Sequence, residues 1–108
     1  MLFDVQLTEH ARADLRGIGD YISQNESPAR AIHVLEQIVH IVESLSEFPA
    51  RGAPLTDFVP TNASDYRSMN ARPFRIIYQV TEETVVVYVI ADGRRDLRSL
   101  LMRRLLQT

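Results

Sequence analysis

A chain of 108 residues, 45% of them hydrophobic, can build one modest core and leaves no room for a second domain, so residues 1–108 read as a single domain. Cysteine is absent, which removes disulfide scaffolds, thiolate metal sites and cysteine nucleophiles together. The net charge of −2 hides an asymmetry: residues 1–50 set three arginines against eight acids and residues 51–108 set nine against six, giving halves of −5 and +3.

Every cation is arginine, and lysine is missing. Such a pattern fits a compositional bias. It also fits guanidinium groups placed for planar, bidentate contact with phosphate or carboxylate, a contact that an ammonium does not make. The N-terminus shows no basic segment leading into an apolar run, and no stretch approaches the roughly 18 apolar residues of a membrane span. A soluble cytoplasmic protein is therefore expected.

Leu2 to Leu7 alternates loosely and reads as a first strand. Thr8 caps the helix that follows, and Ala11, Leu15, Ile18 and Ile22 give it a buried stripe to about Gln24. Gly17 and Gly19 cost that helix about 1–2 kcal/mol relative to alanine, which close packing against a neighbour would explain. Ser27-Pro28 starts a second helix, with Ala31, Val34, Leu35, Ile38, Ile41, Val42 and Leu45 on its apolar side, until Phe48-Pro49 stops it. The two make a helical hairpin.

Residues 49–65 hold Pro49, Gly52, Pro54 and Pro60 without a clear period and read as a long loop, of the kind that is usually functional or mobile. Strands are predicted at Tyr66–Asn70, Phe74–Val80 and Thr84–Ile90. The last is apolar on both faces, so it belongs inside the sheet rather than at its edge. Asp96 then caps a final helix with Leu97, Leu100, Leu101 and Leu105 inward and Arg98, Arg103 and Arg104 largely outward. The order β-α-α-β-β-β-α defines an α+β domain with an antiparallel sheet.

Tyr66-Arg67, Pro73-Phe74-Arg75-Ile76-Ile77-Tyr78-Gln79-Val80, Val87-Tyr88-Val89-Ile90 and Gly93-Arg94-Arg95-Asp96 together resemble the sheet signature of the RelE/ParE toxins. The phrase Ala13-Asp14-Leu15-Arg16-Gly17-Ile18 through Asp20-Tyr21-Ile22 is similar to the ParE side of that family, and the likeness covers about residues 3–106. The resemblance implies a growth-arresting toxin of a type II toxin–antitoxin pair, of the kind that stabilises plasmids, neutralised by a cognate antitoxin through which its oligomers mainly form. It implies no cofactor and no metal. Members divide by target: ParE-type toxins poison DNA gyrase, whereas RelE-type toxins enter the ribosome and cut mRNA.

Cutting RNA through its own 2′-hydroxyl needs a base, cations for the charged transition state and an acid for the leaving oxygen. The resemblance places Arg67, Met69, Arg75, Arg95 and Leu101 at the positions concerned, so Arg67, Arg75 and Arg95 are the candidate catalytic set of a ribonuclease. An arginine stays protonated and makes a poor base. Arg67 and Arg75 share a sheet face only if Asn70 pairs with Phe74, and a one-residue slip separates them. A gyrase poison needs only to bind one state of its target, and the basic C-terminal run resembles the terminal helix of ParE-type toxins. Arg94, Arg95, Arg98, Arg103 and Arg104 form the candidate target-binding set, against the plainer reading of a solvated helix face.

His33, Glu36, His40 and Glu43 recur at helical spacing on the second helix, a pattern that a solvated polar face explains without a metal. His10 reads as a surface residue, and Tyr21, Tyr66, Tyr78 and Tyr88 read as packing rather than base-stacking groups. An interaction module without toxicity is the third class of function, and it predicts harmless expression where a toxin predicts arrest.

Overall fold

Thr8 and Ser27 start the two long helices by the same means. In the computed structural model, which describes residues 2–55 and 65–107, the Thr8 hydroxyl accepts from the Ala11 amide at the head of α1 (Glu9–Asn25). The Ser27 hydroxyl accepts from the Arg30 amide at the head of α2 (Pro28–Ser44). Pro28, at the first helical position, gives up only an amide that had no partner. α2 ends before the Phe48-Pro49 stop because the amides of Leu45, Ser46 and Glu47 turn back onto carbonyls three residues earlier and tighten the last turn. Ser46 then ties the end of α2 to the chain start, donating its hydroxyl and accepting the amide of Phe3.

Five strands, β1 (Asp4–Leu7), β2 (Ala53–Pro54), β3 (Asp65–Ala71), β4 (Phe74–Val80) and β5 (Thr84–Asp92), form one sheet in the order β1-β5-β4-β3-β2. The expected α+β class and element order hold, and β5 lies inside the sheet as its two apolar faces require. The sheet is mixed rather than wholly antiparallel. β1 joins β5 in parallel, while the β2–β3, β3–β4 and β4–β5 pairs are antiparallel. The first part of the long loop is also structured, as a 3₁₀ turn (Pro49–Arg51) and β2. Its residues 56–64 lie outside those described.

The α1/α2 hairpin covers one sheet face, packing Ala11, Ile22, Ala31, Val34, Ile38, Val42 and Leu45 on Ile76, Tyr78, Val85, Val87 and Ile90. α3 (Leu97–Leu106) covers the other, with Leu97, Leu100 and Leu101 on Ile77, Val89 and Ala91. A bulge makes both layers possible. Tyr78 pairs with Val87 but Ile77 with Val89, leaving Tyr88 as the extra residue. The alternation of β5 therefore flips at that point, so that Val85, Val87 and Ile90 face the hairpin while Val89 and Ala91 face α3. Burial at these positions contributes about 1.5–3 kcal/mol per large aliphatic side chain.

The two glycines of α1 differ in purpose. A Cβ at Gly19 would stand 2.9 Å from Leu35 Cδ1, so this glycine allows the close helix crossing expected of the pair. A Cβ at Gly17 would meet nothing within 4 Å.

Tyr78 anchors the connection out of α2. Its ring is fully buried, and its hydroxyl donates to Pro49 O at 2.8 Å and accepts from Gly52 N at 2.8 Å. Burial pushes the Tyr78 phenol above its ordinary value of 10.0, against the pull of the Gly52 amide and the Arg67 charge. Burial raises Tyr88 in the same way. Unfolded tyrosines thus lose their protons first as pH climbs past about 10, and the folded state is penalised over the window up to the raised values. Urea midpoints are expected to stay level from pH 8 to about 9.5 and fall above pH 10. Tyr78→Phe should flatten that fall, and an equal fall in this variant would remove Tyr78 as its source.

Candidate functional site

The β3–β4 register decides what the sheet arginines can do. The turn between these strands is the two residues Arg72-Pro73, so Asn70 pairs with Arg75 and Arg67 with Tyr78. That is one residue away from the Asn70–Phe74 pairing that a shared face requires. Arg67 consequently lies on the hairpin side with Met69 and Ala71, and Arg75 on the α3 side with Ser68.

Their partners differ as well. Arg67 donates to Ala50 O at 3.2 Å and Gly52 O at 2.8 Å, and its Nε lies 2.9 Å from the Asp65 carboxylate. It pins the 49–52 turn. Arg75 donates to the Ser68 hydroxyl and runs beneath Gly93, where a Cβ would come within 3.2 Å of Arg75 Cγ. Arg95 is exposed in the connection to α3. The three candidate ribonuclease residues are not brought together.

Among the five candidate target-binding arginines, Arg104 is the correction. Its side chain is 12% exposed and forms a two-point ion pair with Asp14 of α1, Nη1 to Oδ2 at 2.7 Å and Nη2 to Oδ1 at 2.8 Å. The same guanidinium donates to Tyr88 O at 2.8 Å, and Asp14 accepts from Ile90 N at 2.9 Å. The physical reason is a strand edge left open. β1 pairs with β5 only as far as Val87, so the backbone of Tyr88 and Ile90 needs partners, which Asp14 and Arg104 supply. The signal was present in the sequence, because Arg104 follows Leu97 by seven residues and falls within the leucine stripe rather than opposite it.

Arg94 is 90% exposed but engaged with Asp92 at 2.9 Å. The Arg94 side chain, and then its amide, hold the Asp92 carboxyl down at about 2. This contact is therefore complete above the usual carboxylate range and is lost only as pH falls through about 2. The Ser99 hydroxyl and amide likewise hold the Asp96 carboxyl below its ordinary value at the head of α3. Arg95, Arg98 and Arg103 are exposed and have no salt bridge among the described residues. On the outer face of α3, Arg98 and Arg103 flank half-buried Met102 and Leu106, which is 82% exposed. The outward surface of this helix is thus cationic with an apolar centre.

A groove of about 700 Å³ opens between α1, the start of α2 and the ends of β4 and β5. Ile18, Ile22, Val34, Phe74, Ile90 and Ala91 give it apolar walls, Ala13, Gly17 and Tyr21 line its α1 side, and Glu26, Arg30, Arg94 and Arg95 stand around it. Tyr21 is 67% exposed. Ile90, Ala91 and Asp92 at the end of β5 line this groove. His33, Glu36, His40 and Glu43 are exposed on α2, and no group of three or more potential metal ligands occurs among the described residues.

Comparison with known proteins places this geometry in a family. The family described as ParE toxin of type II toxin-antitoxin system, parDE, matches residues 5–97. The chain belongs to the ParE toxin family. Toxin ParE3 of Caulobacter vibrioides is 27% identical over 97 residues, spanning 90% of this chain and 93% of that protein. Among solved structures, the chromosomal ParDE toxin–antitoxin system of P. aeruginosa aligns with a TM-score of 0.71 at 24% identity, over 84% of this chain and 96% of that one. An archaeal RelE–RelB complex from Pyrococcus horikoshii aligns with a TM-score of 0.63 at 14% identity, over 88% and 100%. The last two establish a shared fold. This ParE-family chain is therefore a toxin-type member of a type II pair, and that family implies an antitoxin partner. None of its helices is long and apolar enough to cross a membrane among the described residues.

Proposed function

We propose that this ParE-family toxin inhibits DNA gyrase in the cytoplasm, and that a cognate antitoxin neutralises it by filling the groove beside α1. The observation that carries the gyrase reading is the β3–β4 register. It separates Arg67 from Arg75 and commits Arg67 to backbone carbonyls, so that among the described residues these two arginines do not form one phosphate clamp for RNA cleavage. A poison needs only a complementary surface, and the outer face of α3 with Arg98 and Arg103, together with Arg95 just before the helix, supplies one. In the groove, apolar walls favour an apolar segment of the partner, and Arg30 and Arg95 favour acidic flanks on it.

The test compares two assays on the purified chain: gyrase supercoiling with trapping of cleaved DNA, and mRNA cleavage on programmed ribosomes. Gyrase trapping with intact mRNA is expected; A-site cleavage with unaffected gyrase overturns the reading. Arg95→Ala combined with Arg98→Ala is expected to weaken growth arrest about tenfold or more while the melting temperature stays put. Unchanged growth arrest would take these two arginines out of the target surface.

A further inference from the structure

Asp14 and Arg104 are 90 positions apart, yet their side chains close a network across three elements. Each is 12% exposed, both carboxylate oxygens are engaged, and the remaining bonds go to Tyr88 O and Ile90 N on the edge of β5. In the last turn of α3, Arg103 and Leu106 are exposed and Leu105 packs partly buried on the Ile77–Val89 side of the core, so Arg104 is the polar tie of this turn to β5 and α1. Arg104 therefore holds the end of the helix whose outer face carries Arg98, Met102, Arg103 and Leu106.

We propose that Asp14 and Arg104 are positioning residues of the toxic surface. They touch no target and act by fixing the azimuth and the last turn of α3 against β5, so that Arg98 and Arg103 are presented at a set separation. This rests on the reading that the outer face of α3 meets the target. A bidentate pair suits the task, because a guanidinium fork on a carboxylate fixes direction as well as distance. Arg104 then contributes to toxicity indirectly, and an acidic residue on α1, far from the basic helix in sequence, contributes as much.

The variants Asp14→Asn, Arg104→Gln and their combination discriminate this from direct contact. The chain lacks cysteine, so a nitroxide on Gln107→Cys reports α3 alone. In the isolated protein, each single variant is expected to mobilise the label and raise amide exchange in α3 by about tenfold or more relative to α1 and α2. Each should weaken growth arrest to a similar degree, and the double variant should be no worse than the stronger single one. The proposal fails if Arg104→Gln weakens growth arrest while Asp14→Asn leaves label and arrest as in wild type, since that marks Arg104 as a target contact. It also fails if exchange rises equally in all three helices, or if α3 loosens with undiminished arrest. Should Arg104→Gln not fold, Arg104→Lys, which keeps the charge but loses the fork, takes its place with the same outcomes. The label and exchange are read without a target, so a negative gyrase assay leaves them standing.

Discussion

Gly52→Ala is expected to destabilise the folded chain by about 2–3 kcal/mol, because this turn residue is buried against β3 and β4. A Cβ there would lie 2.6 Å from Ser68 O and 2.7 Å from the Tyr78 hydroxyl. The first is backbone of β3 and the second a fully buried side chain, so neither can move aside at small cost. The Gly52 backbone is ordinary in conformation; the demand is for space alone. Tyr78→Phe attacks the same junction from the other side by leaving Pro49 O and Gly52 N without their partner, at about 1–3 kcal/mol. Because both variants release the same contact, their combination should cost less than the two separately. Urea denaturation at pH 7 measures all three. A Gly52→Ala midpoint within error of wild type would mean that the 49–52 turn swings free of the sheet, and the anchoring role of Tyr78 and Arg67 would go with it.

The features that were readable in advance are those decided locally. Thr8, Ser27 and Asp96 cap helices because a side-chain oxygen stands three residues before an orphan amide, which needs nothing distant. The interior place of β5 followed from Val85 to Ile90 being apolar throughout. What was not readable depends on a second strand or on a distant partner. The two-residue turn at Arg72-Pro73 settles a register that the strand patterns alone leave open, and with it the faces of Arg67 and Arg75. The bulge at Tyr88 reverses which β5 residues face the hairpin, and no spacing rule within β5 announces it. The role of Asp14 is hidden in the sequence, because a carboxylate beside the apolar stripe of α1 says that a donor is needed without saying which of twelve arginines provides it.

The basic C-terminal half presents less free charge than its composition implies. The pairs Arg67–Asp65 and Arg94–Asp92 already cancel within the net charge of +3 over residues 51–108, and Arg104 is paired with Asp14 of the first half, so a partner meets one charge fewer than that sum. Apart from Arg51 and Arg72 in the turns, the cations offered outward are Arg95 just before α3, then Arg98 and Arg103 about an apolar centre. A narrow cationic patch with an exposed leucine favours a specific protein surface over a long polyanion, which would reward charge spread along many phosphates.

Gly17→Leu is expected to separate toxicity from neutralisation. A glycine inside a helix costs about 1 kcal/mol relative to a good helix former, and this one has no close neighbour to justify it within the chain. It lies exposed on the groove wall between Ala13 and Tyr21, where a missing side chain lets a partner approach the α1 backbone. Leucine should therefore raise stability by about 0.5–1 kcal/mol. It should also fill part of the groove and weaken the antitoxin by about a hundredfold, roughly the 3 kcal/mol expected when one well-packed central contact is lost. Growth arrest by the toxin alone is expected to persist, because α3 lies on the opposite sheet face from the groove-forming hairpin. In cells that co-express the antitoxin, Gly17→Leu should arrest growth where the wild-type chain is silenced, while Gln24→Leu, exposed on the same helix but outside the groove, should remain silenced. Titration of purified toxin with antitoxin supplies the affinities. Equal neutralisation of Gly17→Leu and wild type would mean that the antitoxin grips some other face, leaving the unpacked glycine without a purpose.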